Sequence, residues 1–143
     1  MAKLVAEAGL SDQILVDSAG TSTEELGNPV DPRTAKEARR RGLELEHTAW
    51  QIRAEDLDRF DLLLAADNLV ASRLARLARD ERDRSKMVLL RSFSPDFDLE
   101  TDPWGGEIPD PWYGGPDGFT LVYDLIEEAC QGLLDRLRAE LDA

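Results

Sequence analysis

Asp110 stands between Pro109 and Pro111 in the run Asp102-Pro103-Trp104-Gly105-Gly106-Glu107-Ile108-Pro109-Asp110-Pro111-Trp112-Tyr113-Gly114-Gly115. A proline fixes its own φ and restricts the residue before it, so the Asp110 carboxyl is presented with little backbone freedom. Trp112 and Tyr113 follow at once; aromatic rings can wall a pocket and, by desolvation, raise the pKa of a nearby carboxyl. A carboxylic acid held in that way suits protonation of a leaving oxygen. The competing reading is a surface loop stiffened by Pro and Gly, its two rings packed inward. Asp102 repeats much of the pattern eight residues earlier, and composition does not choose between the two carboxyls.

The lone cysteine, Cys130, begins the run Cys130-Gln131-Gly132-Leu133-Leu134-Asp135-Arg136, which formally fits Cys-x5-Arg. Thiolate chemistry on phosphate needs a loop whose amides converge on the anion, commonly at a helix N-terminus. Here the residues fall inside a long amphipathic helix whose amides are taken by the carbonyls four residues earlier. Cys130 also belongs to the apolar stripe, so it is read as a buried structural thiol.

His47 is the only histidine, which leaves a hydrolase triad or a His-rich metal site without a second member. Asp31 precedes Pro32 and reads as a helix cap. Asp67, at the end of an apolar run, reads first as the N-cap of the next helix and second as a functional carboxylate at a strand end. Ser18, in Asp17-Ser18-Ala19-Gly20-Thr21, can bond a neighbouring loop but has no base to make it a nucleophile. No Walker or dinucleotide-binding glycine pattern occurs.

The elements around these residues alternate. Residues 2–9 read as the end of a helix, with Gly9 as its stop. Ile14-Leu15-Val16 reads as a short strand. Asp31 to Gly42 is helical, Phe60 to Asp67 a buried strand, Asn68 to Arg79 helical, and Met87 to Leu90 a strand. The segment from Arg91 to Gly118 holds five of the seven prolines. A last helix, with Asp117 expected as its N-cap, carries Val122, Leu125, Ile126, Ala129, Cys130, Leu133, Leu134, Leu137 and Leu141 at three- and four-residue spacing. Alternating strands and helices predict an α/β fold with a parallel sheet, in which ligands bind beyond the carboxyl ends of the strands.

The 143 residues suit one domain, and 42% apolar with 33% charged residues is an ordinary globular composition. No apolar run approaches a membrane span and no signal-peptide core opens the chain, so a cytoplasmic location is expected. Seventeen basic against thirty acidic residues leave a formal charge of −13. That field disfavours nucleic acid and anionic membrane as partners. It also means that any chemistry on an anion needs a local, preorganised pocket.

Val16-Asp17-Ser18-Ala19-Gly20-Thr21, Pro29 with Asp31-Pro32-Arg33, Phe60 to Asp67, Pro109 to Gly115 and Gly118 to Cys130, in that order, resemble the low-molecular-weight protein-tyrosine phosphatases. The resemblance implies a three-layer flavodoxin-like fold around a four-stranded parallel sheet. It also implies hydrolysis of phosphotyrosine proteins or aryl phosphates through a phosphocysteine, with no metal or cofactor. It makes Asp110 the general acid, Trp112 and Tyr113 the aromatic pair beside the substrate, Ser18 a buttress of the phosphate loop and Asp67 a carboxylate at the rim.

Two departures accompany it. Family members open with a strand running into a Cys-x5-Arg-Ser loop, and this chain begins within the helix that follows. The nucleophile, its oxyanion-binding amides and the bidentate arginine are absent from residues 1–143, so these residues are expected to be inactive alone. A strand of ~5–6 residues with a loop and one helical turn would complete the pattern, roughly 15–20 residues in all. Met1 is then expected to be an internal methionine of a longer chain. In the second departure, Glu24 and Glu25 stand where an aromatic is common. The alternatives are a non-catalytic binding or regulatory remnant of the same fold, or an arsenate reductase, which needs two further cysteines for a disulfide relay.

Overall fold

The computed structural model describes residues 1–22, 27, 31–43, 49–109 and 115–142, with the side chains of 115–117 excepted. Element order is α1 (Ala2–Glu7), α2 (Pro32–Arg40), β1 (Leu63–Ala65), α3 (Asn68–Leu77), α4 (Glu81–Arg84), β2 (Met87–Leu89) and α5 (Gly115–Leu141), with 3₁₀ turns at Ala54–Asp58 and Leu90–Phe93. These form two compact units, residues 1–17 with 90–143 and residues 18–89. Among the described residues no helix is long and apolar enough to cross a membrane.

In the 18–89 unit, β1 and β2 run parallel in the register Leu63↔Met87, Leu64↔Val88, Ala65↔Leu89. A parallel pair needs a crossover, and α3 with α4 supplies it. Leu63 and Ala65 face inward and Leu64 outward, the period-two alternation of a strand. Their inner face joins Ile52, Leu57 and Leu74 in one cluster, against which Trp50, Phe60, Val70, Ala71, Leu77, Met87 and Leu89 pack. Val70, Ala71, Leu74 and Leu77 recur at helical spacing, which is why α3 lies on this sheet.

Charge ties the strand entrances together. Arg79 reaches Asp58 through Nη2 at 2.6 Å and Nη1 at 3.1 Å, and Asp83 through Nε at 2.9 Å. Lys86 Nζ donates to the Leu57 carbonyl at 2.7 Å. Asp83 is buried, and the Arg79 guanidinium holds its carboxyl down at about 2.

The 1–17 and 90–143 unit is built on α5. Leu125, Ala129, Cys130, Leu133 and Leu134 are its buried face, and α1 and the 90–93 turn pack against the helix. Each of these leucines contributes roughly 1.5–3 kcal/mol when fully buried. Gly132 has no side chain where the Phe93 carbonyl approaches.

The local stops and starts follow the sequence. Gly9 (φ 72°) and Gly42 (φ 79°) end α1 and α2 in the left-handed region. In each case the glycine N–H and the next N–H return to carbonyls inside the helix: Gly9 to Ala6 and Leu10 to Val5, then Gly42 to Arg39 and Leu43 to Ala38. Asp31 caps α2, accepting from the Arg33 N–H at 2.8 Å.

Two expectations are corrected. Ile14–Val16 is not a strand: Leu15 and Val16 are exposed, and the first parallel bridge comes only at Gly20, which pairs with Gln51. Ile14 N–H instead closes a turn on the Leu10 carbonyl at 2.9 Å. α5 begins at Gly115, two residues before the expected cap Asp117; Pro116 is tolerated there because the first-turn amides have no intrahelical partner. Among the described residues the parallel sheet is formed by β1 and β2.

Candidate functional site

The loop preceding Asp110 is organised around Asp102. Its Oδ1 accepts from Arg91 Nη2 at 2.8 Å; its Oδ2 accepts from Arg91 Nη1 at 3.0 Å, from the Trp104 N–H at 3.1 Å and from the Gly106 N–H at 2.8 Å. Both side chains are buried, 7% and 6% exposed. Arg91 Nη1 lies 3.4 Å from the Glu107 carbonyl, and its guanidinium carbon is 5.5 Å from the Trp104 ring centre and 5.7 Å from that of Phe97. Two successive left-handed glycines, Gly105 (φ 60°) and Gly106 (φ 82°), turn the backbone so that the 106 amide faces the carboxylate. The Arg91 guanidinium and these amides hold the Asp102 carboxyl below the usual carboxylate range.

An acceptor-saturated carboxylate of lowered pKa is ionised at neutral pH and has no proton to give. Asp102 is thereby removed as a general acid, a choice that composition alone left open. Its partner Arg91 was not singled out in the sequence; a basic residue at the head of a Pro/Gly-rich loop was the only available signal.

Asp67 sits where β1 ends and caps α3, its Oδ1 accepting from the Val70 N–H at 2.8 Å. That is the first of its two sequence readings, and it places the carboxylate at the carboxyl end of a parallel strand. Ser18 is exposed in the irregular stretch before the Gly20 bridge. Asp110, Trp112, Tyr113 and His47 lie outside the described residues.

Cys130 is buried in α5. Arg136, the other end of the formal Cys-x5-Arg match, lies 5.7 Å over the Phe93 ring and pairs with Glu140 at 3.5 Å. A continuous α-helix holds both residues, so no phosphate loop forms between them.

The family described as low molecular weight phosphotyrosine protein phosphatase matches residues 1–143. A low molecular weight protein-tyrosine-phosphatase of Streptomyces coelicolor is 39% identical over 140 residues, 96% of this chain and 82% of that protein. The low molecular weight phosphotyrosine protein phosphatase of Mus musculus is 35% identical over 135 residues, 94% of this chain and 81% of that protein. Among solved structures, a protein tyrosine phosphatase from Entamoeba histolytica superposes with a TM-score of 0.86 at 28% identity, covering 96% of this chain and 84% of its own. With its α/β architecture and parallel sheet, the chain belongs to the low molecular weight phosphotyrosine protein phosphatase family.

Proposed function

We propose that this domain serves hydrolysis of phosphotyrosine or aryl phosphate monoesters with Asp110 as the general acid, and that residues 1–143 by themselves do not turn over. In that reaction a thiolate attacks phosphorus, the P–O bond to the phenol breaks, and the acid delivers its proton to the departing oxygen. Trp112 and Tyr113 flank the substrate ring, Ser18 supports the phosphate loop, and Asp67 holds the rim.

The observation that carries this reading is the state of Asp102. The rival carboxyl of the loop is consumed by Arg91 and two amides, which supports the choice of Asp110 over Asp102. Inactivity of the 143 residues alone rests on Cys130, the only cysteine, being buried in a helix. The same burial is what favours the second reading, a non-catalytic binding domain.

The test compares residues 1–143 with the same residues fused behind a strand and Cys-x5-Arg-Ser loop of the family pattern, assayed on phenyl phosphate and a phosphotyrosine peptide. Turnover by the fusion alone is expected, with Asp110→Asn slowing it by about 10²-fold or more. A folded but inert fusion would favour the binding domain. Turnover by the 143 residues unaided would refute the assignment.

A further inference from the structure

We propose that Arg91 and Asp102 are positioning residues that set the turn presenting Asp110, an inference resting on the reading of Asp110 as the acid. Arg91 follows directly on the first residue of the 3₁₀ turn packed on α5, so its backbone is anchored by the longest helix of its unit. From there it grips both ends of the next turn, the Asp102 carboxylate and the Glu107 carbonyl. Glu107 N–H donates to the Trp104 carbonyl at 3.0 Å and Gly105 N–H to the Asp102 carbonyl at 3.2 Å, closing the turn on itself. Only Ile108 and the φ-restricted Pro109 separate this fixed turn from Asp110. A shift of the turn has only two residues of chain in which to be absorbed before Asp110 is reached.

The arrangement is a poor way to gain stability. A buried ion pair roughly breaks even against apolar residues of the same volume. Arg91 Nε is in addition buried with no hydrogen-bond partner among the described residues, and an unmatched donor works against folding. What the pair provides is directional: a planar fork meeting a carboxylate in one geometry. General-acid catalysis depends on that kind of geometry, since a small misplacement of the proton donor costs rate steeply.

Two measurements test this. In residues 1–143, backbone amide NMR signals of wild type and Asp102→Asn are compared. The shift changes are expected to reach Asp110; changes confined to 102–107 would overturn the proposal whatever the chain's activity. In the fused, active form, Arg91→Lys is assayed on phenyl phosphate and on 2,4-dinitrophenyl phosphate, whose leaving group departs without a proton.

Arg91→Lys should lower kcat/KM on phenyl phosphate by about tenfold or more, a fraction of what losing the acid itself costs, and change the dinitrophenyl ester less than about twofold. Its pH profile should keep the basic limb at a lower plateau. Equal losses on both esters, or no loss on either, would overturn the proposal. Should Arg91→Lys not fold, Gly105→Ala serves instead, because φ at 105 is +60° with open space around it, so the strain falls on the turn alone. Asp110→Asn is the control: if it shows no ester selectivity, the acid assignment has failed, whereas selectivity there without selectivity at Arg91 or Gly105 rejects the positioning role.

Discussion

The carbonyl of Phe93 occupies the place where a side chain on Gly132 would begin. Alanine there would favour the helix by about 1 kcal/mol, yet its Cβ would drive into backbone, which no rotamer change relieves. Overpacking of that kind costs typically 1–3 kcal/mol, and contact with a main-chain carbonyl belongs at the upper end. Gly132→Ala should therefore destabilise the chain by about 1 kcal/mol or more net, read as a lower urea midpoint at unchanged m. A rise in the midpoint would show that α5 and the 90–93 turn separate freely.

Asp67→Ala should cost about 1 kcal/mol through loss of the α3 cap, whereas Asp67→Asn should be nearly neutral because an amide oxygen can accept the Val70 N–H. Chemical denaturation of the two variants side by side checks this. Equal losses would mean that the charge of Asp67, rather than its cap bond, is what the fold uses.

Cys130→Ser should lower stability by about 1–2 kcal/mol, since a hydroxyl replaces a thiol in a buried apolar face. In the fused, active form its kcat/KM should stay within about twofold of the parent, a difference too small to be the loss of a nucleophile. A large drop in turnover with an unchanged melting temperature would contradict its structural role.

Acid should weaken the 18–89 unit through Asp83. Its carboxyl is held at about 2 against an ordinary 3.8, chiefly by hydrogen bonding from Arg79. A pKa depressed by folding contributes stability that is complete above the unfolded value and disappears as pH falls through the folded one. The stability gap between wild type and Asp83→Asn should accordingly be constant above about pH 5 and narrow between about pH 4 and pH 2. Melting temperatures measured across that range read it directly, and a gap independent of pH would exclude the ion pair as its source.

What the sequence disclosed was mainly local. Asp31, Gly9, Gly42 and Asp67 work through bonds to residues a few positions away, so their types and places announced the helix ends. The stripe on α5 was visible for the same reason, since helical spacing is a property of the segment itself. Ile14–Val16 misled because a strand exists only through a neighbour, and β-rich composition carries no record of where that neighbour is. Arg91 and Asp102 are eleven positions apart and meet only because the chain between them folds back, with Asp96 in the left-handed region at φ 59°. The state of Asp102 was therefore invisible until its environment was known.

The Arg79–Asp58, Arg79–Asp83 and Lys86–Leu57 ties all lie on the approach side of β1 and β2, before either strand begins. A one-residue slip between the strands would tear the Arg79–Asp58 and Lys86–Leu57 ties, so the alignment is fixed at the upstream edge of the sheet. The opposite edge, where Asp67 takes over, is thus relieved of the task of keeping the strands in step. Substitutions at the strand exits can therefore be made while the sheet keeps its alignment.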